Sequence, residues 1–409
     1  MNPRPLKVCY FGTYRAEYSR NRIMIEGLRQ AGVEVIECHE ALWHGIEDRV
    51  QLASGGWRSP KVWARIARTY ARVVVRYANV EDHDLVVVGY PGQFDVFLAR
   101  LLCFVRNKPL AWDVFMSIYL ISLERGLDKR SKFTVDMLRR IERAALRTAD
   151  LLIHDTFEYA KWLASKHGVS PEAFHLVPTG ADDRVYRPVA PAAAMQEPRP
   201  FRVLYFGTFI PNHGIRYVLE AARYLKKVNV EFELVGEGPE REMALALVRE
   251  YQLTNVSFKD WLSSAELSVA AARADVVLGA FGTTPQSLMT VQNKIYEGLA
   301  MARPVITGDS PAVRDSLRHG EQVYVCARAD GLALAQAIDS LREQPELRSK
   351  LAEQGHRVFR ERYALRPIGV TFRSHLEGLL ERRTELGQRR EKRPAHPALG
   401  GRIARLWRF

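Results

Sequence analysis

The richest run of reactive side chains in this chain is Phe281-Gly-Thr-Thr-Pro-Gln-Ser-Leu-Met-Thr-Val-Gln-Asn-Lys-Ile-Tyr-Glu-Gly-Leu-Ala-Met-Ala-Arg-Pro-Val-Ile306. A strand ending near Ala280 gives way to a polar loop. A helical pattern then starts between Thr290 and Asn293, with Ile295, Leu299 and Met301 on its buried side. The free backbone N–H groups of such a helix start, with the hydroxyls of Ser287 and Thr290, would form a pocket for an anion. Lys294 falls in the first helical turn, where a cation opposes the helix dipole unless an anion is also present. Glu297 lies on roughly the same face as Lys294 and Asn293; an ordinary surface ion pair has the same spacing. Elsewhere, Asp113 closes the apolar run Pro109-Leu-Ala-Trp112. A carboxylate at that strand end could take a proton from an acceptor hydroxyl or cap the helix that follows. His154 and Asp155 end another strand with the same two readings. Gly12-Thr-Tyr-Arg15, with Tyr18, Ser19, Asn21 and Arg22, makes a polar loop after the first strand.

The elements that must position these residues come in two sets. Lys7-Val-Cys-Tyr-Phe-Gly-Thr-Tyr14 returns as Arg202-Val-Leu-Tyr-Phe-Gly-Thr-Phe209. Each copy reads as strand, glycine turn, helix and second strand, the opening unit of a doubly wound parallel sheet. In the first half, further short apolar runs start at Asp84, Pro109 and Asp150. The second half adds runs at Val256, Asp275, Pro304 and Gln322. Strands without alternation are covered by helices on both faces. The proline-rich stretch Pro188–Pro200 has neither helical nor strand period and reads as a linker. The expected architecture is α/β: two Rossmann-like domains, 1–187 and 201–360, facing each other across a cleft, then a C-terminal helix and basic tail over 361–409.

With 409 residues, 47% apolar and 26% charged, the chain is too long for one small module and too apolar to be disordered. Its four cysteines lie far apart, with no pairing pattern for zinc or a disulfide framework. The N-terminus runs into a strand without the apolar segment of a secretory signal, so a cytoplasmic location is expected. The net charge of +13 is localised. Residues 381–409 hold nine Lys/Arg and three Glu, and residues 57–80 hold six basic residues and no acid. At 100° per residue, Lys61, Arg65, Arg68, Arg72 and Arg76 form one stripe of a helix over Pro60–Ala78, opposite an apolar face that includes Val62, Trp63, Ile66, Val73 and Tyr77. That pattern suits an anionic membrane surface better than nucleic acid, with the basic tail as a second anchor. A core-packed helix with a wet basic face would look the same. The most apolar stretch, Phe94 to Leu123, is interrupted by charges, so contact with a bilayer would be peripheral, at the inner membrane face.

Asn293-Lys-Ile-Tyr-Glu-Gly-Leu-Ala-Met-Ala-Arg-Pro-Val-Ile306 resembles the donor-binding segment of the retaining GT-B glycosyltransferases of family 4. Val177-Pro-Thr-Gly-Ala-Asp182 with Tyr186-Arg-Pro188 is similar to that family's interdomain passage. Tyr205-Phe-Gly-Thr-Phe-Ile-Pro-Asn-His-Gly214 and Val235-Gly-Glu-Gly238 are similar to its nucleotide-sugar domain. The resemblance covers about residues 7 to 375. It implies a metal-independent, retaining hexosyltransferase without a cofactor. The donor would be a nucleoside diphosphate sugar and the acceptor a lipid-linked or polysaccharide glycan bound by the N-terminal domain. Glu297 takes the place of the glutamate on the nucleotide ribose. Gly207, Thr208, Ser287, Thr290 and Asn293 fall in the donor-binding loops. Three positions depart from the pattern: Met289 stands where the first of two paired glutamates is expected, and Thr208 and His213 stand where an arginine and a lysine contact the diphosphate. Lys294, helped by His213, is the expected replacement cation, and Asp113 the expected catalytic carboxylate. The alternative is a catalytically inactive GT-B partner that binds nucleotide or glycan and regulates an active transferase. Neither Gly12 nor Gly207 opens a G-x-G-x-x-G fingerprint, which argues against a nicotinamide dehydrogenase.

Overall fold

The computed structural model describes residues 4–42, 59–189 and 199–391. The first sheet is built from β1 (Lys7–Gly12), β2 (Glu34–His39), β3 (Leu85–Val88), β4 (Leu110–Asp113), β5 (Leu151–His154) and β6 (Phe174–Leu176), all parallel, in the order β2-β1-β3-β4-β5-β6. The second contains β7 (Phe201–Phe206), β8 (Val230–Val235), β9 (Val256–Lys259), β10 (Val276–Leu278), β11 (Val305–Gly308) and β12 (Tyr324–Cys326), ordered β12-β11-β10-β7-β8-β9 and also parallel. The two-domain α/β architecture expected from the apolar runs is present. One strand escaped the sequence reading. β6 is only three residues long, with only Phe174 buried, so its apolar signal is a single side chain.

Strand order reverses beside β1 in the first sheet and beside β7 in the second. At such a point the flanking helices lie on opposite faces and leave a crevice at the carboxyl ends of the strands. In the second sheet that crevice opens between Gly207, just after β7, and the residues that follow β10. Core side chains cover both faces of each sheet, as fully buried runs such as Leu85–Val88 require.

The C-terminal helix Leu365–Glu391 leaves the second domain and packs on the first helix, Ser19–Gln30, in the N-terminal domain. Leu365, Ile368, Phe372, Leu376 and Leu379 join the core beneath β1 and β3. A Cβ on Gly369 would sit 1.7 Å from the Gly27 carbonyl oxygen, so the two helices touch backbone to backbone there.

The helix Pro60–Ala78 forms as its periodicity demands, but it turns its apolar stripe inward. Val73 and Tyr77 are buried in the core of the first domain, and the Tyr70 hydroxyl donates to Asp95 at 2.7 Å. Part of the apolar face assigned to lipid is therefore spent on the sheet, while Trp63 stays exposed, as do Ala64, Ala67, Ala71 and Val75 beside the basic stripe. The stretch 392–409, which holds most of the basic tail, lies outside the described residues, as does 190–198 of the linker. Among the described residues, no helix is long and apolar enough to cross a membrane.

Candidate functional site

The helix Asn293–Ala300 forms because Ile295, Tyr296, Leu299 and Ala300 can be buried together against the second sheet. It stops where Ala302 takes a left-handed backbone (φ 53°) and Pro304 follows. The cap residue Gln292 makes no side-chain capping hydrogen bond, so the first helical amides are left without that partner. Just upstream, the segment expected as loop contains a one-turn helix, Pro285–Met289, capped by the Thr284 hydroxyl on the Ser287 amide at 3.2 Å.

Lys294 lies in the first turn, as its spacing indicated, and is almost completely buried. Its Nζ stands 4.1 Å from the centre of the Tyr205 ring and has no hydrogen-bond partner among the described residues. Burial pushes its pKa down to about 7, with Glu297 pulling the other way. Room for the ammonium comes from Gly207. That residue has φ 130°, and a Cβ there would come within 2.9 Å of Nζ. Glu297, one turn on and partly buried, is pushed up to about 7 by burial, opposed by Lys294, the Tyr186 hydroxyl and Arg22. Two groups that titrate near neutrality therefore sit together at the switch point of the second sheet. A cation desolvated over an aromatic ring and left unpaired is costly in a finished structure. An anion in the crevice would offset that cost.

Other expected members are placed differently. His213 is beside Lys294, but its Nδ1 donates to the Thr208 carbonyl at 2.7 Å. Burial, then Lys294, then Arg328 bring its pKa down to about 3 despite that bond. It is a neutral imidazole at physiological pH, and the expectation of a second cation there is corrected. Thr208 contributes its carbonyl to this bond, and its side chain is half-buried. Ser287 donates its hydroxyl to the Asn212 carbonyl at 2.5 Å and accepts from Arg328 at 2.8 Å. Thr290 donates to the Gln286 carbonyl at 2.9 Å and accepts from Gln292 at 3.1 Å. Both hydroxyls brace the loop from inside, so neither forms the wall of an anion pocket as expected. Asn293 reaches across the cleft and donates to Ser19 Oγ at 2.7 Å.

Asp113 is fully buried with both oxygens held by Arg20, at 2.9 Å from Nε and 2.8 Å from Nη2. Arg20 also donates to the Val177 carbonyl at 2.8 Å. A carboxylate clamped bidentately in the core is a structural anion, so neither proton transfer to it nor helix capping holds; Ser117 caps the following helix instead. The polar loop after β1 is likewise tied down. Thr13 donates its amide to Asp95 at 2.6 Å, and Asn21 bonds both to the Tyr90 amide at 2.9 Å and to its carbonyl at 2.7 Å.

Two participants were not found from the sequence. Tyr205, inside the repeated Tyr-Phe-Gly-Thr, supplies the ring beneath Lys294. Arg328, just after β12, donates to the carbonyls of Asp309 and Gly282, both at 2.7 Å, and to Ser287 Oγ. Burial brings its pKa down to about 10, and its Nη2 is buried without a partner among the described residues. Its position at a strand end was the available signal. The domains also meet directly at this loop. Glu124 accepts from the Gln286 amide at 2.8 Å, Thr156 donates to the Met289 carbonyl at 2.6 Å, and the Met289 side chain packs on the N-terminal core. No group of three or more His, Cys, Asp or Glu that could hold a metal ion occurs among the described residues.

Residues 200–344 match the family Glycosyl transferases group 1. The chain is 28% identical over 186 residues to the lipopolysaccharide core biosynthesis glycosyltransferase LpsD of Rhizobium meliloti, an alignment covering 44% of this chain and 52% of that protein. It is 24% identical over 283 residues to the alpha-D-kanosaminyltransferase of Streptomyces kanamyceticus, covering 67% and 71%. The chain thus spans about half the length of the first of these relatives. The structure of sucrose-phosphate synthase from Thermosynechococcus elongatus superposes with a TM-score of 0.68 at 17% identity, over 94% of this chain and 100% of that one. That of Anabaena HepE in complex with UDP gives 0.65 at 15% identity, over 91% and 100%. The fold is GT-B, and residues 200–344 form its glycosyl transferases group 1 domain.

Proposed function

We propose that this protein is a glycosyltransferase that moves a sugar from a nucleoside diphosphate donor to a lipid-linked or polysaccharide acceptor at the cytoplasmic face of a membrane. The observation that carries the proposal is the buried Lys294 ammonium, without a hydrogen-bond partner among the described residues, at the start of the Asn293–Ala300 helix, in the space that the absent Gly207 side chain leaves to it. A diphosphate seated there would meet the Asn293 and Lys294 amides and the ammonium together, through charge-assisted hydrogen bonds of about 1.5–3 kcal/mol each. Glu297 would accept from the ribose hydroxyls. The relatives are a glycosyltransferase of lipopolysaccharide core biosynthesis and an alpha-D-kanosaminyltransferase, and HepE holds UDP, which supports a nucleotide-sugar donor and a glycan product.

The chemistry we propose is retaining and needs no metal or cofactor. The acceptor hydroxyl attacks the anomeric carbon on the face from which the donor phosphate leaves. The C–O bond to the phosphate breaks as the new glycosidic bond forms, and the hydroxyl proton passes to the departing phosphate oxygen. This route asks no carboxylate to act as base, in keeping with the engagement of Asp113 by Arg20. Lys294 and the helix amides would stabilise the charge that grows on the leaving diphosphate.

A thermal-shift screen of the full chain against UDP-, GDP-, ADP- and dTDP-sugars tests the reading. One nucleotide class should raise the melting temperature, since a ligand that binds only the folded state stabilises it. Glu297→Ala should then weaken nucleotide binding, while Lys294→Ala should cut turnover more than affinity; no shift with any donor sinks the proposal. The closure of the donor loop onto the N-terminal domain, with Met289 on that domain's core and the Gln286 amide on Glu124, favours a second reading, a non-catalytic GT-B partner of an active transferase. Nucleotide binding without donor hydrolysis or transfer by the pure protein would select it.

A further inference from the structure

The helix Asp95–Arg106 lies between β3 and β4 in sequence and packs on the first sheet through Val96, Ala99 and Cys103. Its opposite side is apolar as well. Phe97, Leu101, Phe104 and Val105 are 39%, 61%, 82% and 76% exposed. At roughly 100° per residue they fall within one arc of about 100°, a continuous ridge along the outside of the helix. Water-facing apolar surface of this kind is uncommon on a monomeric protein and marks a contact surface.

The neighbour of the ridge is the helix Pro60–Ala78. The two are joined by the bond from Tyr70 to Asp95 and by Arg106, which lies over the Tyr77 ring and donates to the carbonyls of Ala78 and Val80. Ala64, Ala67, Ala71 and Val75 of that helix are exposed and carry the apolar surface outward. Beyond them come Lys61, Arg65, Arg68 and Arg72, all exposed, on a helix that contains no acidic residue.

We propose that the Asp95–Arg106 ridge, edged by the cations of Pro60–Ala78, is the face that lies on an anionic lipid bilayer. Phenylalanine and leucine side chains would enter the boundary between headgroups and acyl chains, while the cations meet lipid phosphates. The charge pattern selects this occupant. A second copy of a chain with net charge +13 would set basic edge against basic edge, whereas an anionic bilayer complements the whole face. Placement agrees with the chemistry. The helix begins just beyond the carboxyl end of β3, where Phe94 is also exposed, so the ridge starts at the cleft end of the domain. Lying on this face, the protein would hold its acceptor side next to the headgroups. This deepens the membrane part of the proposed function and does not depend on the donor chemistry.

The test is co-sedimentation of the full chain with vesicles of phosphatidylcholine alone or mixed equally with phosphatidylglycerol. The wild-type protein should sediment with the mixed vesicles. Leu101→Ser/Phe104→Ser should bind them at least about tenfold more weakly, and Arg65→Glu/Arg68→Glu/Arg72→Glu should lose the preference for phosphatidylglycerol. Both variants alter exposed side chains and should keep the wild-type melting temperature. The proposal is overturned if the wild-type chain ignores mixed vesicles, or if the serine variant binds them as the wild type does. It also falls if light scattering shows a dimer that the serine variant breaks while vesicles are ignored, which would make the ridge a contact between copies. Vesicle binding without any response to nucleotide sugars would instead reject only the donor reading.

Discussion

The same strand and turn occur twice in this molecule and end in opposite electrostatics. After β1, the place a Cβ on Gly12 would occupy is 2.6 Å from the Asp95 carboxylate. That carboxylate is already engaged by the Thr13 amide and hydroxyl and by the Tyr70 hydroxyl. After β7, the corresponding place at Gly207 is 2.9 Å from the Lys294 ammonium, for which the described residues offer no hydrogen bond. The first turn contains its own anion; the second encloses a buried cation. A repeated backbone unit thus builds two equivalent turns, one closed around a hydrogen-bonded carboxylate and the other around an ammonium without a hydrogen-bond partner among the described residues.

The sharpest way to break this contrast is Lys294→Met. Kinetics should show kcat/KM for the donor falling roughly 10- to 100-fold, as expected for losing a charge-assisted contact. The ligand-free protein should meanwhile melt higher, stabilised by at least about 1 kcal/mol because a buried unpaired charge is gone. A fall in both would mean that the ammonium is a structural group. The mirror experiment is Asp95→Ala. Leaving the Thr13 and Tyr70 donors unmet should cost about 1–3 kcal/mol of stability, read by denaturant titration, with nucleotide affinity unchanged.

The pH response sharpens the comparison further. A diphosphate favours the protonated ammonium, so binding takes up part of a proton, and as pH rises above about 7 affinity should fall a little and turnover more. In the free protein the slope is reversed. The lysine titrates near 7 folded and near its ordinary 10.5 unfolded, so the unfolded state holds more protons between those values and stability rises with pH across that window. Calorimetry of binding and thermal melts over the same range would record the two opposed trends. The smallest effect is expected for His213→Asn. A neutral imidazole bonded to a carbonyl contributes no charge, so donor affinity should change less than about threefold. A larger loss would return it to the cation role.

Much of the architecture was legible because parallel strands buried on both faces leave unbroken apolar runs; eleven of the twelve strands were read, most of them from such runs and β2 and β8 from the repeated strand–turn–helix–strand unit. The position of Lys294 was legible too, since a lysine in a first helical turn conflicts with the dipole unless something offsets it. Its burial was not, because that depends on Tyr205 and Gly207, about ninety residues away in sequence. For the same reason the hydroxyls of Ser287 and Thr290 were misjudged: a short polar side chain looks alike whether it faces a ligand or braces its own loop. The Pro60–Ala78 helix carries a similar lesson. Periodicity gives the apolar stripe but not what covers each part of it: Val73 and Tyr77 go to the sheet, while Trp63 stays exposed. Asp113 differed in another way. Its partner Arg20 lies on a distant helix, and nothing local distinguishes a clamped carboxylate from a free one.

The return of the Leu365–Glu391 helix onto the Ser19–Gln30 helix has a consequence for the order in which the halves can be completed. The second domain is an insertion within the first, begun at Phe201 and left through the π-helical turn Phe359–Tyr363. Leu6 and Leu380, from the two ends of the described chain, pack on one buried cluster with Val8, Ile23, Leu365 and Phe372. The core of the first domain is therefore whole only once residues that follow the second domain are in place.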